Sequence, residues 1–326
     1  MNRFKLLPLA GILAMGLFVA ESAHAGAYGL ASNDIRGFTI RPGPGISFTT
    51  SIDTSSTSAL LNGAGAGPNG GAGSSDAPVA VAPGSTPFQP QFVNNGAFQP
   101  AANTPVGPVG SFSYADALIS HPGGGIFDAR VISEAHLDTA GTASGTATNS
   151  SATGFTATFT VATSTSIDFS FTADPLIRVF LNANAAPGSF AQGTLSAALT
   201  ISCASAGGCG GTPLGGIVFA WAPNGSADGA AGVTGTVGGF EFTDSENLQA
   251  SLTQFTPGGQ SFSPAPAAFL PYRAATNDLP TGSYTLGLAM TSTDAVIKKI
   301  PEPGSTALVA LGLVGLGFAG RRRNKG

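Results

Sequence analysis

The chain has 326 residues, of which only 9% are charged, against about 25% in an ordinary soluble domain. Glycine (47) and proline (23) are abundant while Glu, Lys and Arg are scarce, so turns are plentiful and surface helix formers are few. The formal net charge is −4, and without residues 1–25 and 301–326 it becomes −8, with 7 bases against 15 acids. That balance excludes nucleic-acid binding by charge, because no basic stripe exists to release phosphate counterions, and it argues against a solvated cytosolic enzyme.

Residues 1–25 read as a signal peptide. Arg3 and Lys5 form a positive start, Leu6 to Ala20 is almost wholly apolar, and Ala23-His24-Ala25 is a small-x-small cleavage site before Gly26. Sec export machinery and signal peptidase are the partners this implies, with processing between Ala25 and Gly26. Residues 26–61 form an N-terminal strand region with one predicted strand, Ile46 to Ile52. Residues 62–110 read as an irregular Gly/Pro/Asn-rich segment, since proline repeatedly removes the donor a ladder needs. Two Phe-Gln-Pro triplets, at 88–90 and 98–100, read as extended turns docking their rings on the domain, or as a short adhesive segment.

Residues 111–297 have the texture of a β domain. Thr153 to Val161 alternates strictly, Ile167, Phe169 and Phe171 alternate next, and the pair predicts a hairpin whose second strand stops at Asp174-Pro175. Leu176 to Leu181 reads as a run buried on both faces. Leu195 to Ile201, Ile217 to Trp221, Phe240 with Phe242, Leu248 to Phe255, and Tyr284 to Met290 complete the predicted strands. Short alternating strands joined by Gly/Pro/Asn turns indicate an all-β, antiparallel sandwich, jelly-roll or Ig-like, with long irregular loops.

Cys203 and Cys209 bracket a flexible glycine-containing loop, and an exported chain meets an oxidising compartment, so they are expected to form a disulfide. No catalytic constellation is evident. Gly-x-Ser-x-Gly and phosphate-loop patterns are missing, and no cofactor is called for. Glu241, Asp244 and Glu246 cluster within six residues. They read as surface acidity at a strand end, as the carboxylates of a glycosidase, or, the better functional option, as calcium ligands. Glu134, His136 and Asp138 alternate as a solvated strand face or a metal cluster, and His121 precedes a glycine loop. Trp221, Tyr272 and Tyr284 are candidates for stacking on sugars, although alternation places Trp221 in the core beside Ile217 and Phe219.

The last segment, 298–326, has three parts in order. Pro301-Glu302-Pro303 precedes an uncharged hydrophobic helix over Ser305 to Gly320, and Arg321, Arg322 and Arg323 close it on the cytoplasmic side of a membrane. This arrangement resembles the PEP-CTERM sorting domain, and Leu279 to Leu286 is similar to the strand that precedes that signal in many secreted PEP-CTERM β domains. The resemblance implies recognition by exosortase, a membrane cysteine transpeptidase-like enzyme, with Pro301, Glu302 and Pro303 at the processing point. It further implies transient residence in the inner membrane of a Gram-negative bacterium, and a final place at the cell surface or in an exopolysaccharide matrix. A structural or adhesive protein without catalysis is the reading that follows. Its rivals are a secreted carbohydrate- or calcium-binding module and a polysaccharide-active enzyme.

Overall fold

A computed structural model describes residues 26–61, 64–71, 74–81, 111–123, 126–137, 145–183, 185–262 and 269–299. The leader, both Phe-Gln-Pro triplets, Asp138 and the apolar C-terminal segment lie outside the described residues.

Two antiparallel sheets pack as a sandwich. The first runs β12 (Gly239–Asp244), β15 (Leu270–Thr276), β8 (Ile167–Leu181), β1 (Ala27–Pro42), β6 (Ile126–Leu137), β5 (Phe112–Gly123) and β4 (Ser74–Val81), with β14 (Gly258–Phe262) on the far half of β8. The second runs β11 (Val233–Thr234), β10 (Ile217–Trp221), β9 (Phe190–Cys203), β16 (Gly282–Lys298), β7 (Gly145–Val161), β2 (Ile46–Leu61) and β3 (Ala64–Gly71), with β13 (Ser251–Gln254) on the near half of β9. The sandwich class therefore stands, but with eight strands per sheet among the described residues it is larger than the seven to nine strands of an Ig-type domain or the eight of a jelly roll.

Alternation creates the core. Phe38, Phe127, Phe169 and Phe171 of the first sheet meet Phe155, Phe159, Phe219, Trp221 and Tyr284 of the second. Phe127 stacks on Phe38 within its own sheet at 4.5 Å and on Phe155 across the gap at 4.4 Å, so one ring column ties the two layers. A second, smaller-residue cluster, including Ala27, Ala31, Ile177, Leu195 and Val296, fills the other end. There the sheets approach closely. A β-carbon on Gly193 would lie 2.7 Å from the Leu30 carbonyl oxygen and 2.6 Å from the Ile177 side chain, and one on Gly29 would lie 2.9 Å from the Gln192 carbonyl oxygen.

Several sequence expectations are corrected. The strands β7 and β8 do not form a hairpin: β7 lies in the second sheet and β8 in the first, joined by a corner that bridges Thr165 to Leu279. Both strands turn their apolar faces to the same core, so periodicity alone cannot distinguish a hairpin from a sheet-to-sheet corner. Asp174-Pro175 does not end β8. Pro175 sits opposite Asn33 of β1, and on the other side β14 ends at Phe262, the partner of Ile177, while β15 begins at Leu270, the partner of Ala173. No described ladder therefore requires a donor from Pro175 on that side. The run Leu176 to Leu181 is not buried on both faces, since Phe180 is exposed while Ile177, Val179 and Leu181 are buried.

Residues 26–61 supply β1 and β2 to the two sheets, and β1 is buried at every position from Ala27 to Ile35. The strand expected at Ile46 to Ile52 continues to Leu61; a bulge between Phe48 and Thr50 breaks its alternation and turns Ile52 outward, while Phe48, opposite the core residue Phe159, is partly exposed. Within the segment expected to be irregular, 64–71 and 74–81 are strands. The stretch expected from Leu248 to Phe255 is a strand only over Ser251–Gln254.

The close approach at Gly193 gives a direct test. Gly193→Ala should lower stability by roughly 1–3 kcal/mol through overpacking. Gly207→Ala, where a β-carbon meets nothing within 4 Å, should leave the urea midpoint nearly unchanged. Equal midpoints for the two variants would contradict this account of the sheet spacing.

Candidate functional site

The acidic cluster of β12 is the chemically richest place among the described residues. Phe240 and Phe242 mark this strand in the sequence, yet its buried side chains are Glu241 and Asp244 while both phenylalanines are exposed. Phe240, Glu241 and Phe242 alternate in the ordinary way, with Glu241 opposite the buried Ala274. A bulge between Glu241 and Thr243 then inserts one residue against β15, so Asp244, three positions on, also turns inward.

Inside, the carboxylates fasten the loop that follows β10. The indole N–H of the fully buried Trp221 donates to Glu241 Oε1, and the Asp228 amide donates to Glu241 Oε2 at 3.1 Å. The amides of Asn224 and Gly225 both donate to Asp244 Oδ2, at 2.6 and 3.0 Å. Asp228 in turn accepts from Asn224 Nδ2 and from the Ser226 hydroxyl, which closes the turn on itself. Gly225, at φ 86°, makes the sharp turn that brings the two consecutive amides onto one oxygen.

Burial and the neighbouring Glu241 push the Asp244 carboxyl up to about 6, against the opposing pull of the two amides. Tyr272, packed beneath the pair, has its phenol pushed well up by burial and then by Asp244 and Glu246. Its hydroxyl donates to the main-chain carbonyl of Glu246 at 3.1 Å. The structure thus brings Glu241 and Asp244 together, while the half-buried Glu246 is tied to the site through its backbone. Calcium takes six to eight oxygen ligands, whereas three of the four oxygens of Glu241 and Asp244 already accept N–H donors. This donor set fits a loop clasp and not a calcium cage. Among the described residues, no group of three or more His, Cys, Asp or Glu stands ready to hold a metal.

The other expected positions are structural in their surroundings. Glu134 and His136 are buried, not on a solvated strand face. The Tyr28 hydroxyl donates to Glu134 Oε1 at 2.7 Å, the His136 ring lies 6.4 Å from that of Tyr28, and burial raises the Glu134 carboxyl to about 7. His121 lies in β5, and nothing further is described of its side chain. Cys203 and Cys209 form the expected disulfide, with Cα atoms 5.7 Å apart. Trp221, Tyr272 and Tyr284 are all buried, so none of the three presents a face for stacking on a sugar. Trp221 is in the core as alternation places it, beside Phe219, but a bulge between Ile217 and Phe219 leaves Ile217 exposed and buries Val218 instead.

The closing strand leads straight to the C-terminal signal. β16 ends at Lys298, and the Lys299 amide donates to the Ser189 hydroxyl at 3.0 Å. A family model described as the PEP-CTERM protein-sorting motif matches residues 299–323. The chain carries a PEP-CTERM sorting motif. That motif implies an exported, membrane-transiting protein targeted to exosortase, as the order of Pro301, Glu302, Pro303 and the arginines leads one to expect. No curated protein and no solved structure matches the chain. Among the described residues no helix is long and apolar enough to cross a membrane; the expected span, 305–320, lies outside them.

Two measurements follow. Free-thiol labelling of the exported PEP-CTERM protein without reductant should leave Cys203 and Cys209 unmodified, and labelling at both would contradict the disulfide. Asp244 and Glu134 hold their protons more tightly folded than unfolded, so unfolding releases protons from about pH 4 upward to the folded values of about 6 and 7. Stability should therefore rise as pH falls from 7.5 to 5. Asp244→Asn keeps an oxygen for the loop amides but cannot ionise, so its urea midpoint should vary less with pH than the wild type's; an identical slope would show that Asp244 does not titrate in this range.

Proposed function

We propose that this is a non-enzymatic component of the cell surface or extracellular matrix, structural or adhesive in an exopolysaccharide or biofilm setting. In this reading it is exported by the Sec machinery, held briefly in the inner membrane of a Gram-negative bacterium, and processed at Pro301, Glu302 and Pro303. The observation that carries it is the junction at Lys298. The sorting motif begins at the residue after the closing strand, so removal of the tail beyond Pro303 spares every described ladder. The other end is arranged alike. β1 starts at Ala27, so cleavage between Ala25 and Gly26 spares β1 as well, and the Gly26 carbonyl still accepts from the Asn182 amide at 2.8 Å.

Absence of catalysis is supported by the use the fold makes of its carboxylates. A general acid needs an open approach to its substrate, whereas Glu241 and Asp244 are buried and use three of their four oxygens on Trp221, Asn224, Gly225 and Asp228. In the native host, mass spectrometry of the surface or released protein should find a chain starting at Gly26 and lacking Ser305 to Gly326. Deleting the exosortase should accumulate a longer, membrane-bound form, and the purified protein should release no reducing ends from polysaccharide. An intact Gly326 in the surface form, unchanged by the deletion, would make the tail a plain anchor; polysaccharide cleavage lost on Glu241→Gln would make the protein an enzyme.

A further inference from the structure

β12 is inverted with respect to the rule that builds the rest of the sandwich. Two carboxylates are taken out of water and two phenylalanines are left in it, Phe240 at 47% and Phe242 at 45% exposure. Burying carboxylates is unfavourable unless their oxygens are satisfied, and leaving two aromatic rings in solvent forgoes hydrophobic stabilisation. A conflict between local pattern and fold of this kind marks a surface used for something other than stability.

The exposed side of the strand is organised. The two rings lie 5.1 Å apart, tilted by 48°. The Arg273 guanidinium of β15 sits over the Phe242 ring at 4.7 Å, and Asp168 of β8 holds it through Nε at 3.0 Å and Nη2 at 2.6 Å. Gly229 packs against the edge of the Phe240 ring, where a β-carbon would lie 3.2 Å from it. The clasped loop therefore braces the ring from the side.

We infer that Phe240, Phe242, Arg273 and Asp168 form a docking platform for an uncharged glycan chain. A pyranose ring has apolar C–H faces and a hydroxyl edge. The phenylalanines offer the aromatic surface for the faces. The Arg273–Asp168 pair offers both guanidinium donors and carboxylate acceptors for the hydroxyls, beyond those used between the two side chains. The pair is neutral overall, so the platform selects neither an anionic nor a cationic polymer by charge. The platform rests on the surface-protein reading above only for meeting such a polymer in the host; its geometry is independent of sorting.

The test uses the protein purified from the host's medium or surface, run in native gels containing hydroxyethylcellulose or dextran, both neutral, or alginate, which is anionic. Mobility should fall in at least one neutral gel and not in alginate. Phe240→Ala with Phe242→Ala should weaken that retardation at least tenfold, and Arg273→Ala should weaken it in part. Phe255→Ala, which removes an exposed ring elsewhere, should leave it intact. Each ring is only about half exposed, so the double variant should unfold at a somewhat lower urea midpoint, and its retained single cooperative transition shows that it is folded. No retardation in either neutral polymer, equal retardation of the double variant, or stronger retardation in alginate would overturn the inference. A double variant that changes only from dimer to monomer in sedimentation would show that the rings join two copies of the chain, and would overturn it too. A protein processed normally by exosortase that fails this test would sink the platform and leave the sorting reading standing.

Discussion

The length of β16 governs the rest of the molecule. Its 17 residues pair without a register shift against β7 along their whole length and against β9 from Tyr284 to Ile297. Tyr284, Leu286, Leu288 and Met290 point from this one strand into the main core, and Val296 points into the smaller one. The second sheet therefore has its centre at the C-terminal end of the body and cannot be completed until that strand is available. Contacts between strands so distant in sequence make folding slow. In this chain the strand that completes the sheet is also the one that runs into the sorting motif. A body finished by the residue before the signal can lose the signal without losing a ladder.

The acid clasp shows a different economy. Glu241 and Asp244 are a poor choice for stabilising a core, because two neighbouring carboxylates repel each other when both are ionised and burial raises the cost. They persist in a setting of four N–H donors that would otherwise lack acceptors, and they hold the turn Asn224 to Asp228 where no ladder runs. Phe240 and Phe242 face outward because the strand's register sets Glu241 opposite the buried Ala274, and the bulge then brings Asp244 to the inward side as well. Loop position and exposed aromatic surface thus depend on one strand's register.

Much of the architecture was legible in the residues. The alternation of Thr153 to Val161, Leu195 to Ile201 and Tyr284 to Met290 marks strands whose apolar members are buried, and the short loop between Cys203 and Cys209 marks a disulfide. The failures have specific causes. β1 has no clean period because it is buried on both faces from Ala27 to Ile35, so polar Ser32, Asn33 and Asp34 sit inside along with Leu30 and Ala31. Pro175 reads as a terminator because its place in β8 is set by pairing with Asn33 of β1 on one side and by β14 and β15 on the other, none of which is adjacent in the chain; among the described residues no ladder pairs it on that second side. At β12, Phe-Glu-Phe-Thr-Asp carries the ordinary signal of phenylalanine in and acid out. The register against β15, which sets Glu241 opposite the buried Ala274, reverses it, and the bulge adds Asp244 to the inward side; neither leaves a mark in the sequence.

By itself the sequence determined what local chemistry can specify: a β-rich body of low charge, a disulfide, and a tail whose Pro-Glu-Pro, apolar run and arginines are read as a linear signal; the leader expected over 1–25 is of the same linear kind. Such features depend on order and composition along a few tens of residues, and they need no fold to be recognised. The tertiary structure decided which strands share a sheet, where the bulges fall, and consequently which side of β12 faces water. Those outcomes depend on pairing between distant segments, where a shift of one residue moves every side chain to the opposite face. That is why Trp221 and Tyr272, the aromatic residues best suited by type to meet a ligand, ended in the core, while Phe240 and Phe242, the residues best suited to the core, ended on the surface.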